Sequence, residues 1–179
     1  MRLNSVLSEL RLYLCNAIVG HFPSRRVRRA YLRHAMGFQI GQGAAIHLRC
    51  RFDAARGFQI GPRSVINAGS RLDTRGGITI GYDTSISENV TILTASHDLQ
   101  DAGFAGSQAS VRIGNHSFIG TGALLLPGSE VGDRAALAAG SVLTKAIPAG
   151  EIWAGIPARR IGQRPEILNY TLSYDRFLH

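Results

Sequence analysis

Six apolar residues stand six apart in one unbroken run: Ile113, Ile119, Leu125, Val131, Leu137 and Leu143. Four positions after each of the first five sits something small: Ser117, Ala123, Ser129, Ala135 and Ser141. Glycine or alanine directly follows most of the apolar residues, at Gly114, Gly120, Gly132 and Ala138. A period of six matches neither the 3.6 of a helix nor the 2.0 of a strand. It suits a chain that turns a corner every six residues. Three such sides close one coil of a triangular prism, apolar side chains inward and small residues at the bends. The pattern predicts a β-solenoid.

The earlier chain repeats it. Phe38-Gln39-Ile40-Gly41, Phe58-Gln59-Ile60-Gly61 and Ile78-Thr79-Ile80-Gly81 recur every 20 residues, three hexads plus a two-residue bulge. The hexads run Ile40, Ile46, Phe52; then Ile60, Ile66, Leu72; then Ile80, Ile86, Ile92. A fourth coil begins at Ile113 and a fifth at Val131. Five coils at the sheet spacing of ~4.8 Å make a prism roughly 24 Å tall. A sandwich with chance spacing does not account for six hexads in strict register.

Three segments follow. Residues 1–37 read as two helices. Val6, Leu7, Leu10, Leu14, Ala17 and Ile18 form an apolar face at helical spacing. Ser24 stands where it would cap a second helix ending at Gly37, with Arg25, Arg26, Arg28, Arg29 and Arg33 opposite Val27, Tyr31 and Met36. That helix has two readings: a cover over the open top of the solenoid, or a basic helix touching anionic lipid. Residues 38–162 are the solenoid, interrupted at 98–112 by a stretch expected to loop outward, the kind of place that carries function. Residues 163–179 form a tail in which Pro165 to His179 reads as a short helix.

The net charge is +8, with 19 arginines and a single lysine, Lys145. This favours anionic partners: a phosphate-rich cofactor, a nucleotide- or lipid-linked substrate, or a membrane surface. The arginines are dispersed outside residues 25–33 and no nucleic-acid motif is present, so nucleic acid is not the expected partner. Cys15 and Cys50 form no disulfide framework or CxxC site, and Cys50 holds a small corner position. The apolar stretch from Leu10 to Phe22 is broken by Arg11 and lacks a cleavage site. These features point to a cytoplasmic chain, with contact to the inner face of the membrane through the basic helix as an option.

His97 stands at the mouth of the loop, in Thr94-Ala95-Ser96-His97-Asp98. A neutral imidazole can take a proton from a hydroxyl or an amine. His116 is its rival, read as lying mid-hexad on a flat face. Here the chain resembles the hexapeptide-repeat acyltransferases with a left-handed parallel β-helix, and most of all the maltose/galactoside O-acetyltransferases and the sugar O-acetyltransferases of polysaccharide biosynthesis. The resemblance rests on Ser96-His97-Asp98, Val111 to Gly120, Leu126-Pro127-Gly128, Ala138 to Lys145, and Ala154 to Arg159.

The resemblance implies an all-β, left-handed parallel β-helix of about five coils, a homotrimer with active sites shared between subunits, and acetyl transfer from acetyl-CoA with no metal. It makes His97 the general base and Asn67, 30 residues upstream, the residue facing a saccharide acceptor; a corner turn is the alternative for Asn67. It assigns coenzyme A contacts to Thr121, Ala139, Thr144, Lys145 and Arg159, the last two neutralising phosphates. Trp153, where a small or aliphatic residue is usual, either stacks on adenine or covers the last coil. Phe118 replaces a tryptophan. Arg75 and Asp53 fall at acceptor-contacting positions, and Arg75 argues against a plain galactoside or maltose. A carboxylate orienting His97 is expected among Asp98, Asp83 and Glu88.

Three rivals remain open. One is N-acetylation of an amino sugar or amino acid. Another is a zinc enzyme of the γ-carbonic anhydrase kind, for which a third histidine is missing. The last is a non-catalytic scaffold.

Overall fold

The structure, a computed structural model, describes residues 3–174. Its body is a parallel β-helix. One face stacks Ile40, Ile60, Ile80, Ile113 and Val131 in register. The second stacks Ile46, Ile66, Ile86, Ile119 and Leu137. The third stacks Phe52, Leu72, Ile92, Leu125 and Leu143. All fifteen are buried, so the six-residue period is a record of which side chains fill the prism.

A sixth, partial coil extends the five expected from the sequence. Ile147 bridges to Val131 and Trp153 pairs with Leu137. It escapes the periodicity because the step from Leu143 to Ile147 is four positions instead of six. The strand Glu151–Gly155 then folds back on Ala158–Gln163, which covers the bottom edge.

Corners are built from small residues for two reasons. Where glycine follows the inward residue, successive coils touch. A Cβ on Gly120 would lie 2.4 Å from the Ala139 nitrogen, and one on Gly61 would lie 2.6 Å from the Gly81 carbonyl carbon. Where serine or threonine occupies the corner, its hydroxyl bonds a carbonyl of the next coil. Ser64 donates to Gly81 (2.6 Å), Thr84 to Gly114 (2.6 Å) and Ser117 to Gly132 (2.9 Å). These hydroxyls satisfy buried acceptors that would otherwise cost about 1–3 kcal/mol each.

Two helices, α1 (Leu3–Ala17) and α2 (Arg25–His34), close the top. They stand in for the coil that is missing above the first. The Asn16 amide donates to the Phe52 carbonyl (2.8 Å) and accepts from the Phe52 N–H (3.0 Å), as a neighbouring strand would. Arg29 donates to the Gly41 carbonyl (2.9 Å) and Arg28 to that of Ile46 (3.3 Å). The cover reading of α2 therefore holds, with two adjustments. Its basic face is split, Arg28 and Arg29 turning inward and Arg26 and Arg33 outward. Ser24 occupies the N-cap position without a side-chain capping bond, and the helix stops at His34.

The tail differs from expectation. Residues 164–174 form no helix but an extended strap along one corner of the prism. Arg164 donates to the His116 carbonyl (2.7 Å), Tyr170 Oη to the same oxygen (3.2 Å), and the Leu172 N–H to Asp83 (2.9 Å). These tertiary bonds hold the segment extended in place of the expected helix. Residues 175–179 of the predicted helix lie outside the described residues.

Candidate active site

The third coil leaves the prism after Ile92 and returns at Val111. Between them Ala95–His97 and Gly106–Gln108 pair antiparallel, with Ala95 opposite Gln108, Ser96 opposite Ser107 and His97 opposite Gly106. The outward loop is thus a β-hairpin. Its tip is tied internally: Asp98 accepts from the Gln100 N–H (2.9 Å), and Asp101 from those of Gly103 (2.9 Å) and Ala105 (3.1 Å).

The root is tied by Asp73, a residue not singled out from the sequence. Its carboxylate is fully buried. One oxygen accepts from the Arg75 N–H (3.2 Å) and Nε (2.7 Å). The other accepts from Arg75 Nη2 (3.0 Å) and from the N–H groups of Thr94 and Ala95 (both 3.0 Å). Burial alone would raise its pKa. The Arg75 guanidinium and these amides outweigh that and hold it at about 2. A single charged group therefore fixes both the start of the hairpin and the side chain of Arg75.

His97 sits exposed in a cleft lined by Arg75, Ala95, Ser96, Gly106, Ser107 and Gln108. Its Nδ1 is 2.9 Å from the Phe104 carbonyl oxygen, and its ring stacks on that of Phe104 with centroids 4.2 Å apart and planes 6° from parallel. A carbonyl only accepts, so Nδ1 carries the proton and Nε2 keeps its lone pair in the neutral ring. The arrangement leaves a base with a fixed tautomer facing solvent.

The expected orienting carboxylate is not what holds the ring. Asp98 binds Gln100, and Asp83 binds Arg63 and Leu172. The backbone of Phe104 does the work. Sequence patterns do not report a carbonyl seven residues away.

Of the predicted acceptor residues, only Arg75 shares the cleft with His97. Its Nη1 has no protein partner among the described residues. Asp53 instead pairs with Arg71 (2.7 Å). The side chain of Asn67 donates to the Ile86 carbonyl (2.9 Å) at a corner, the turn role. Neither lines the cleft. His116 lies at a corner rather than on a flat face, with φ of 52°. It is packed edge-on between Tyr82 and Tyr170 and does not line the His97 cleft. Among the described residues no three His, Cys, Asp or Glu side chains converge as metal ligands.

The five predicted coenzyme A residues are all exposed, in coils four to six. Thr121 and Ala139 occupy neighbouring coils of one corner, where the Gly140 N–H bonds the Thr121 carbonyl (2.9 Å). Thr144 and Lys145 follow the last strand of the third face, and Arg159 lies on the returning strand opposite Ala154. Trp153 is buried and donates to Glu151 (2.7 Å). It fills the core of the sixth coil, so it covers the prism and offers no free face to adenine. Lys145 Nζ rests 5.4 Å from its ring centroid. None of these residues lines the cleft around His97.

Residues 110–145 match the family described as bacterial transferase hexapeptide (six repeats). With the stacked coils, this match makes the chain similar to hexapeptide-repeat transferases, on a parallel β-helix fold. It is similar to the galactoside O-acetyltransferase of Escherichia coli (strain K12), 35% identical over 79 residues that cover 42% of this chain and 39% of that protein. The match thus spans well under two thirds of that relative. Across the whole fold it is similar to a maltose O-acetyltransferase from Clostridium difficile 630, with TM-score 0.83 and 26% identity, covering 92% of this chain and 90% of the other. A hexapeptide-repeat acetyltransferase from Vibrio cholerae O1 biovar eltor, solved with acetyl coenzyme A, gives TM-score 0.81 at 22% identity over 90% of this chain and 89% of that one. At that identity the likeness is one of fold.

Proposed function

We propose that this chain is an acetyl-CoA-dependent O-acetyltransferase acting on a saccharide, with His97 as general base. The observation that carries the reading is the His97 ring. Its Nδ1 is engaged by the Phe104 carbonyl at 2.9 Å, and it stands in an open cleft at the tip end of the first hairpin strand. Nε2 takes the proton of an acceptor hydroxyl as that oxygen attacks the thioester carbonyl. The C–O bond forms, the C–S bond breaks, and the proton passes from His97 to the departing thiolate. General-base assistance of this kind contributes about 10²–10⁴-fold.

Thr121, Ala139, Thr144, Lys145 and Arg159 are the residues proposed to hold coenzyme A, with Lys145 and Arg159 on its phosphates. Their exposure supports this, as does acetyl coenzyme A bound to the Vibrio protein of the same fold. They lie apart from the His97 cleft within one chain, so the reading includes a homotrimer in which neighbouring copies complete each site. Leu99 and Phe104, 85% and 55% exposed at the hairpin tip, are apolar surfaces for such a neighbour to cover. The Nη1 of Arg75, without a partner among the described residues, favours an acceptor with a carboxylate or phosphate, as in intermediates of surface polysaccharide assembly. Asp73 already compensates most of the Arg75 charge, so this contact is one of hydrogen bonding more than net attraction.

The test is acetyl transfer from labelled acetyl-CoA to a panel of neutral sugars, acidic sugars, nucleotide- or lipid-linked sugars and amino sugars. Label on hydroxyls of an acidic or carrier-linked sugar supports the reading in full. Label only on amines replaces it with N-acetylation. Absence of both label and coenzyme A binding replaces it with a scaffold.

A further inference from the structure

The apolar face that the sequence assigns to α1 does not pack on the β-helix. The helix meets the body through Leu12, Cys15 and Asn16, which are wholly or partly buried. Val6, Leu7, Leu10, Tyr13 and Ile18 lie on the opposite side, between 38% and 66% exposed. Phe22 and Val27, beyond the helix, are exposed as well. A short helix with one side anchored and a second apolar stripe facing water is incomplete without something to cover it.

Charge says what covers it. Residues 1–52 contain nine arginines and one acid, Glu9, a net of +8; residues 53–179 contain eleven basic and eleven acidic side chains, a net of zero. The whole net charge of the chain thus sits in the cap and first coil. Arg11 is seven residues from Ile18 and so lies on the same side of α1, and exposed Arg26 adjoins exposed Val27. A second copy docking here would bring +8 against +8. An anionic lipid surface satisfies the stripe and the charge together.

We propose that the N-terminal end of this β-helix docks on anionic membrane, with α1 laying its outer stripe into the headgroup boundary and Arg11 and Arg26 meeting lipid phosphates. No helix among the described residues is long and apolar enough to cross a membrane, so the contact is an interfacial one. It brings an acceptor carried on lipid to the same end of the molecule as α2. It does not depend on the chemistry of His97.

The test is sedimentation of the full chain with vesicles of phosphatidylcholine alone, or of phosphatidylcholine and phosphatidylglycerol in equal parts, at low and high salt. The chain pellets with the phosphatidylglycerol vesicles at low salt and stays in solution with phosphatidylcholine. The pair Leu7→Ser and Leu10→Ser, outside the core, reduces pelleting at fixed charge. The pair Arg11→Gln and Arg26→Gln weakens it roughly 30-fold, from about fivefold per arginine near an anionic surface. Failure to pellet with phosphatidylglycerol overturns the proposal. So does binding indifferent to the leucine pair, which marks charge attraction without insertion. A change of particle mass in the leucine variant, read by light scattering, also overturns it by making the stripe a subunit contact. Because no transfer is measured, none of these outcomes depends on the acetyltransferase reading.

Discussion

Replacing Asp73 by asparagine isolates the group that ties the hairpin to the β-helix. The substitution keeps the shape and removes the charge. Five donors converge on the two carboxylate oxygens, two on one and three on the other. Whichever way the amide turns, its NH₂ faces at least two of them. The lowered pKa gives a magnitude: the gap between the ordinary 3.8 and about 2 corresponds to about 2 kcal/mol at 1.36 kcal/mol per pH unit. Loss of one partner from a buried pair costs about 3–5 kcal/mol. Arg75 is 47% exposed and can turn to water, which pulls the cost to the low end. Asp73→Asn should therefore destabilise the protein by about 2–3 kcal/mol at neutral pH. A depressed carboxylate pKa adds stability above the unfolded value that is lost as pH falls toward the folded one. The gap between the two proteins should hold above pH 3.8 and close as pH approaches 2. Urea unfolding across that range, with hydrogen exchange at Thr94 and Ala95, checks it. A variant within about 0.5 kcal/mol of the parent at neutral pH, the usual range for an inconsequential surface change, would refute the role assigned to Asp73. A gap that does not change with pH would refute the electrostatic argument.

Other outcomes follow from the same geometry. Gly120→Ala forces a Cβ into contact with the Ala139 backbone at 2.4 Å, so it should lower stability by about 1–3 kcal/mol as overpacking does, read by thermal unfolding. Burial pushes the thiols of Cys15 and Cys50 up to about 12, so neither should react with a thiol reagent at pH 8 until the chain is unfolded in urea. Lys145→Ala, under the coenzyme A assignment, should raise the KM for acetyl-CoA several-fold and leave kcat nearly unchanged, as expected for a charge that binds a phosphate without taking part in the chemistry.

Much of the β-helix is legible in the chain because its core is a linear record. Each inward residue recurs at the same offset, and Ile40 through Leu143 fall where hexad counting puts them. The hairpin is legible as a break in that count, with His97 at its mouth. Other features depend on contacts that no local pattern carries. Asp73 reaches Thr94 and Ala95 only because one coil stacks on the next. The partner of His97 is a backbone carbonyl, which leaves no trace in residue type. The sixth coil is hidden by a shortened last step, and so Trp153 reads as a free ring when it is a core residue. The α1 stripe is correctly an apolar face, yet periodicity does not say which side meets the protein. The strap at 164–174 has no regular structure, and its path is fixed by bonds to corners far away in sequence.

The central claim is that His97 does the proton transfer. It is tested most directly by the acceptor-dependent release of free coenzyme A under saturating acetyl-CoA, for the parent and for His97→Ala. A loss of about 10²–10⁴-fold in kcat, with coenzyme A affinity unchanged, is the predicted result. A loss under about tenfold would contradict it, because a base holding the reacting proton cannot be removed so cheaply.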